Sequence, residues 1–199
     1  MNRQKKTSWL ALVSVLLLLG VLPLACGGGG GNPTAPPGLS AAWTPDNPTP
    51  GAQTISLGAG AASASNFTVP VQVTGIDDFF GAAFRINYDP SSAAFVSFDA
   101  AGSVIDAGGA TLLLDAQQYA AGVVRVNATR QQGGPGVYVP GVDVGATSLL
   151  ITLNFRATAS TGGNAFSFSN TEVQTCNDAA ETCGIVGGLT WSGGTLTAR

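Results

Sequence analysis

Two cysteines, several carboxylates and a few large aromatics are the side chains of this 199-residue sequence best suited to chemistry. Cys176 and Cys183 bracket Asn177-Asp178-Ala179-Ala180-Glu181-Thr182. A Cys-x6-Cys pair has neither the spacing nor the companions of a zinc site, and it is not the Cys-x-x-Cys of a redox centre. In an exported chain it reads as a disulfide stapling a polar, acidic loop. Glycoside hydrolysis needs two carboxylates about 5–10 Å apart across a cleft. Asp77 and Asp78 are adjacent, would point to opposite sides of an extended chain, and read as a turn between strands. Asp89 with Pro90, and Asp106 with Gly108-Gly109, read the same way. A serine nucleophile needs a base, yet there is no histidine, and no lysine follows Lys6. The expectation is a non-catalytic chain without a cofactor. Calcium needs only Asp and backbone carbonyls, but no Asp-x-Asp-x-Asp loop occurs, so a structural calcium ion has no support in the sequence. Sugar faces stack on rows of exposed rings. Tyr119, Tyr138, Trp191 and Trp43 are the candidates, although no regular spacing connects them and the Leu189-Thr190-Trp191 strand pattern favours the core for Trp191.

Composition narrows the classes further. Charged residues make up 10% of the chain, too few for a coiled coil or helical bundle. The formal net charge of −3 argues against a nucleic-acid partner. Arg3, Lys5 and Lys6 are all the cations of the N-terminal segment; beyond it, five arginines face 11 acidic residues, a balance of −6. Gly (28) and Pro (11) together form nearly a fifth of the chain, which points to many turns.

The cations at the start belong to an address. Residues 9–25 (WLALVSVLLLLGVLPLA) form an apolar run after a basic segment, the pattern of a secretory signal helix. As a membrane span the run is slightly short of about 20 residues, and Gly20 and Pro23 interrupt it. Leu22-Pro23-Leu24-Ala25-Cys26 resembles a bacterial lipoprotein signal, with Pro23 at the position three before the cysteine where that family usually has Leu. The resemblance implies cleavage before Cys26, acylation of its thiol and a stable membrane anchor. Gly27 follows Cys26 where an Asp often holds such lipoproteins in an inner membrane, which favours the outer membrane or cell surface. Residues 26–52 carry the lipidated cysteine and then a Gly- and Pro-rich flexible, disordered linker.

Residues 53–199 read as one all-β domain of about nine strands, a two-sheet antiparallel jelly-roll sandwich. Phe67, Val69, Val71 and Val73 alternate on one face, and Pro70 must sit at an edge or a bulge because it cannot donate to a ladder. Ala82, Phe84, Ile86 and Tyr88 share one face of the 80–88 segment, unless both faces are buried. Strands are expected at 94–98, 111–115, 123–130, 148–158, 165–169 and 189–197, with Leu149, Ile151, Leu153 and Phe155 alternating inward in the strongest.

Three motifs, in order, resemble the cohesin-domain family. They are Val69-Pro70-Val71-Gln72-Val73 followed by Gly75-Ile76; Gly81 to Tyr88 ending in Tyr88-Asp89-Pro90; and Leu149 to Ala157, whose Phe155 precedes a polar and a small residue. The resemblance spans about residues 54–198. It implies a jelly-roll sandwich related to carbohydrate-binding modules, and a sheet face that binds dockerin modules of polysaccharide-degrading enzymes. Many cellulosomal cohesins carry polar residues where this chain has Gly81 and Ala83, a loss of hydrogen-bonding capacity on that face. Direct polysaccharide binding through Tyr119, Tyr138 and Trp191, or a structural or adhesive surface role, are the alternatives.

Overall fold

Alternating apolar residues dictate extended chain, and strands dominate residues 38–134 and 137–199, which the computed structural model describes. They are β1 (Ala41–Pro45), β2 (Thr54–Leu57), β3 (Ala62–Ser63), β4 (Asn66–Thr74), β5 (Ile76–Asn87), β6 (Ala93–Asp99), β7 (Leu112–Ala120), β8 (Val123–Arg130), β9 (Val142–Val144), β10 (Ser148–Ala157), β11 (Thr161–Asn177), β12 (Thr182–Val186), β13 (Thr190–Ser192) and β14 (Gly194–Ala198). A 3-10 segment, Val104–Gly109, interrupts the series. One sheet runs β1-β14-β11-β5-β8-β7, with β12 beside β11 and β9 beside β5; the other runs β13-β2-β4-β10-β6, with β3 beside β4. Every pairing is antiparallel except β13 with β2. This is the expected two-sheet, all-β sandwich. Residues 1–25, with the expected signal helix, and Cys26 lie outside the described residues.

The two inner faces meet in one core. Phe67, Val69, Val71 and Val73 point inward from β4, opposite Ala82, Phe84, Ile86 and Tyr88 from the other sheet. A ring cluster joins the layers: Phe155 lies against Phe67, Tyr88, Phe95 and Phe166. Pro70 faces the gap between β2 and β3, where Gly58 N–H donates to its carbonyl at 2.7 Å and its missing donor leaves no ladder bond unmade.

Four expectations are corrected. The linker expected up to residue 52 contains β1, which pairs with β14 in register Ala41↔Ala198 and Trp43↔Leu196. Trp43 is buried among Phe67 and Phe166, and its Nε1–H donates to Gly58 O at 2.9 Å. Burial of this one indole offsets the ordering entropy that the surrounding Pro, Thr and Asn suggest is too costly. In β10 the inward set is Leu150, Ile151, Leu153 and Phe155, because a β-bulge between Leu149 and Ile151 turns Leu149 outward. Asp77 and Asp78 form no hairpin turn; they lie in β5 at an irregularity opposite β9, with Asp78 at φ 53°. Asp78 N–H donates to Asp143 Oδ1 at 3.0 Å and its Oδ2 accepts from Asn177 Nδ2 at 2.7 Å, so its amide ties it to β9 and its carboxyl to β11. Finally, the strand expected at 165–169 extends over the whole of β11, because this polar chain changes partners along its length, from β14 to β12.

Cys176 and Cys183 form the disulfide, and they face each other directly across β11 and β12. The ring is short, so its reduction is expected to cost about 2–3 kcal/mol in the chain-entropy account. Urea unfolding with and without a reductant measures this. A change under about 0.5 kcal/mol would mean that β-pairing alone holds the hairpin.

Candidate functional site

Side chains pointing away from the core on β11, β5, β8 and β7 form a flat outer face whose register gives four rows. The first is Gln174–Gly81–Thr129–Leu113, and the second is Glu172–Ala83–Asn127–Asp115. The third is Ser169–Arg85–Arg125–Gln117, and the fourth begins Ser167–Asn87–Val123. Rows are about 7 Å apart along the strands and columns nearly 5 Å apart across them. The first two rows enclose a shallow depression of about 170 Å³. Its floor is Gly81 and Ala83, and its rim includes Leu113, Asn127, Thr129, Glu172 and Gln174. Leu113 is 48% exposed at this rim, an apolar side chain left in water.

Gly81 is there for a packing reason. A Cβ at this position would meet Thr129 Cβ at 2.5 Å and the β8 backbone at 2.6 Å. Gly81→Ala is therefore expected to push β5 and β8 apart and cost about 1–3 kcal/mol, whereas Ala83→Ser, on a half-exposed position, should be nearly neutral. Chemical denaturation of both variants checks this, and equal stability of the two would refute the packing account.

Charge is concentrated in the third row. Arg85 and Arg125 are direct cross-strand partners. The Arg85 guanidinium lies 4.3 Å from the centre of the Tyr119 ring. Arg125 Nη2 is 3.9 Å from Asp115 Oδ2, which also accepts from Gln117 Nε2 at 2.6 Å.

The structure separates the four candidate aromatics. Trp43 is in the core. Trp191 is half-buried against Phe168 and Phe84, with ring centroids 4.9 and 5.8 Å away. Tyr138 docks onto the disulfide hairpin, its hydroxyl placed to donate to Asn177 O at 2.8 Å or Thr182 O at 3.3 Å. Partial desolvation, then Asp178, Asp78 and Glu181, raises its pKa, so the donor form persists. Only Tyr119 of the four stands open on the outer face, 56% exposed. No stacking row forms from them. Among the described residues, no group of three or more acidic or cysteine side chains is placed to hold a metal ion.

Two packed sheets with a flat outer face and dispersed aromatics define a β-sandwich module. The chain is a member of the cohesin-domain family, whose model matches residues 54–187. Among solved structures, the seventh ScaB type I cohesin of Pseudobacteroides cellulosolvens is similar with a TM-score of 0.50 at 12% identity, over 66% of this chain and 80% of that one. A type II cohesin from the cellulosome of Acetivibrio cellulolyticus gives 0.48 at 14%, over 81% and 95%. The sixth scaffoldin B cohesin of the same organism, solved in complex with a mutant Cel5 dockerin, gives 0.46 at 19%, over 64% and 86%. No curated protein sequence matches the chain.

Arg85, Arg125, Asp115 and Glu172 were not singled out by sequence reasoning. Alternation in Phe84-Arg85-Ile86 and in Val124-Arg125-Val126 places both arginines outward. That the two arginines oppose each other is a matter of register between distant strands, which alternation does not supply.

Proposed function

We propose that this chain is a lipid-anchored, non-catalytic receptor that docks a dockerin-bearing protein on the outer face of β11, β5, β8 and β7. Membership of the cohesin-domain family over residues 54–187 carries the reading. The face around Gly81 and Ala83 is where the resemblance places the docking surface, and the polar side chains that many cellulosomal cohesins carry at these positions are missing from it, so a partner must be held by other groups of the face. The lack of histidine, and of lysine after Lys6, supports a non-catalytic role. The anchor rests on Cys26 and its signal-like surroundings, with the outer membrane or cell surface as its place. Dockerin modules encoded in the same genome, each presented to the full chain, test the partner. Retention of at least one supports the proposal. Retention of insoluble polysaccharide alone overturns it in favour of direct sugar binding. Cys26→Ser should move the protein from the membrane fraction to the soluble one, and an unchanged distribution would reject the anchor.

A further inference from the structure

The larger sheet ends in an open edge. Among the described residues β7 pairs with β8 alone. From Leu112↔Arg130 to Gln118↔Val124 its register runs without a shift, whereas the pairing of β6, at the edge of the smaller sheet, is broken by a bulge. Gln131 N–H donates to Thr111 O at 2.8 Å, and these residues stand opposite each other one step before Leu112↔Arg130. Bonded pairs alternate with non-bonded pairs along an antiparallel ladder. Leu113, Asp115 and Gln117 therefore turn their backbone groups to β8, while Leu112, Leu114, Ala116 and Gln118 turn theirs away from it. Such a row of unpaired donors and acceptors is a template for another strand, and natural edges blunt it with proline, lysine or a bulge. Leu112–Gln118 holds no proline or lysine, and the bulge comes only after Gln118. The side chains say which strand fits. Leu113 and Tyr119 are two of the four large hydrophobics exposed among the described residues. Both lie on the outer face, Leu113 at the rim of the depression and Tyr119 against Arg85. Ala116 is midway between them. A two-fold axis at Ala116 brings each Leu113 opposite Tyr119 of a second copy and each Asp115 opposite Gln117. It also sets Ala116 against its own copy and Leu114 against Gln118, so their outward N–H and C=O groups all find partners. An axis at Asp115 would oppose two carboxylates, which destabilises a sheet. An axis between two residues would set outward backbone groups against inward ones.

We propose that β7 is a self-association edge: two copies of this chain pair antiparallel along Leu112–Gln118 about a two-fold axis at Ala116, with each Leu113 packed on Tyr119 of the second copy. The pairing joins the two larger sheets into one and covers the exposed leucine and tyrosine. With the axis normal to the sheet, both outer faces lie on the same side, and the rows around Gly81 and Ala83 stay open. The inference therefore goes beyond the dockerin reading and does not depend on it. One short ladder covers less area than a standard protein interface, so the dimer is a reversible one that forms as concentration rises.

Sedimentation equilibrium of the full chain in density-matched detergent tests the proposal. The parent is expected to pass reversibly from monomer to dimer with rising concentration. Gln118→Pro removes an outward N–H that the single chain does not use, so it should melt like the parent and self-associate at least tenfold more weakly. Gln117→Pro removes an amide bonded to β8 and should melt at a lower temperature. Disulfide trapping with oxidised glutathione reads the register. Leu113→Cys with Tyr119→Cys should cross-link two copies, because within one chain the two positions are roughly 20 Å apart along the strand. Leu113→Cys with Gln117→Cys, which would be opposed only about an axis at Asp115, should not exceed the background that the parent shows. A chain that stays monomeric up to about 1 mM overturns the proposal. So does a dimer that Gln118→Pro leaves undiminished, or equal trapping by both cysteine pairs. If Gln118→Pro unfolds the chain and Gln117→Pro does not, the outward row is misassigned and the proposal fails. A monomeric chain whose β7 amides slow in hydrogen exchange only when a synthetic Thr-Val repeat peptide is added overturns it in favour of a foreign strand.

Discussion

A chain shortened to begin at residue 53 is expected to lose most of its stability, although it keeps the whole segment that matches the family. The shortening removes β1 and with it Trp43. Replacing a buried Trp by Ala alone costs about 3–5 kcal/mol, against a total of about 5–15 kcal/mol for a typical domain. Removal of the strand has further consequences. Trp43 stacks on Phe67 at 6.0 Å and meets Phe166 edge-on at 5.1 Å, so both rings would be left beside a void. Gly58 O would lose the indole donor. The outer edge of β14 would be bare from Gly194 to Ala198, an open template for pairing with other chains. The expected result is a shortened protein that unfolds at far lower denaturant than residues 38–199 and aggregates at ordinary concentrations. Trp43→Ala in the full chain should reproduce the packing loss without the open edge. The role assigned to β1 is wrong if the shortened protein unfolds within about 1 kcal/mol of the longer one.

That the domain begins before residue 41 was hard to see in the sequence for a definable reason. Pro45, Pro48 and Pro50 crowd the segment, and composition reads such a stretch as a tether. A single tryptophan reverses this by finding a site between two sheets, and such a site exists only after distant strands have assembled. Elements whose information is local were legible. β4 and the part of β5 from Ala82 onward alternate, so their inward residues could be named, and the bond between Cys176 and Cys183 was expected from their spacing. β10 was legible except at Leu150, where one extra residue shifts the phase of everything before it. The outer face of β11, β5, β8 and β7 was least legible. Its rows join residues from distant segments, such as Gly81, Thr129 and Gln174, and alternation within one strand says nothing about which strand lies beside it. Gly81 and Ala83 came into view through family resemblance, as lost polar groups. The structure gives Gly81 a different meaning, a close approach of β5 to β8.

Phe155→Ala is expected to cost about 3–5 kcal/mol, toward the upper end for a phenylalanine. The ring is 1% exposed, and four other rings surround it with centroids 5.0 to 5.6 Å away, two edge-on from the opposite sheet and two from its own sheet. Aromatic pairs contribute beyond the area they bury. Because Phe67, Tyr88 and Phe166 also pack on one another, they cannot collapse into the space without breaking those contacts. Leu113→Ala gives the opposite expectation. Its side chain is 48% exposed at the rim of the depression, so stability should change by no more than about 0.5 kcal/mol. Binding should separate the two in the reverse sense. Phe155 lies in the far sheet and is buried in the core, so Phe155→Ala, assayed at a temperature where it remains folded, should bind nearly as the parent does. Leu113→Ala should bind more weakly while melting like the parent. Urea unfolding paired with binding of a dockerin module that the parent chain retains measures both. If Phe155→Ala lowers affinity as much as Leu113→Ala does under folding conditions, the core and the face are coupled, and recognition cannot be assigned to the outer rows alone.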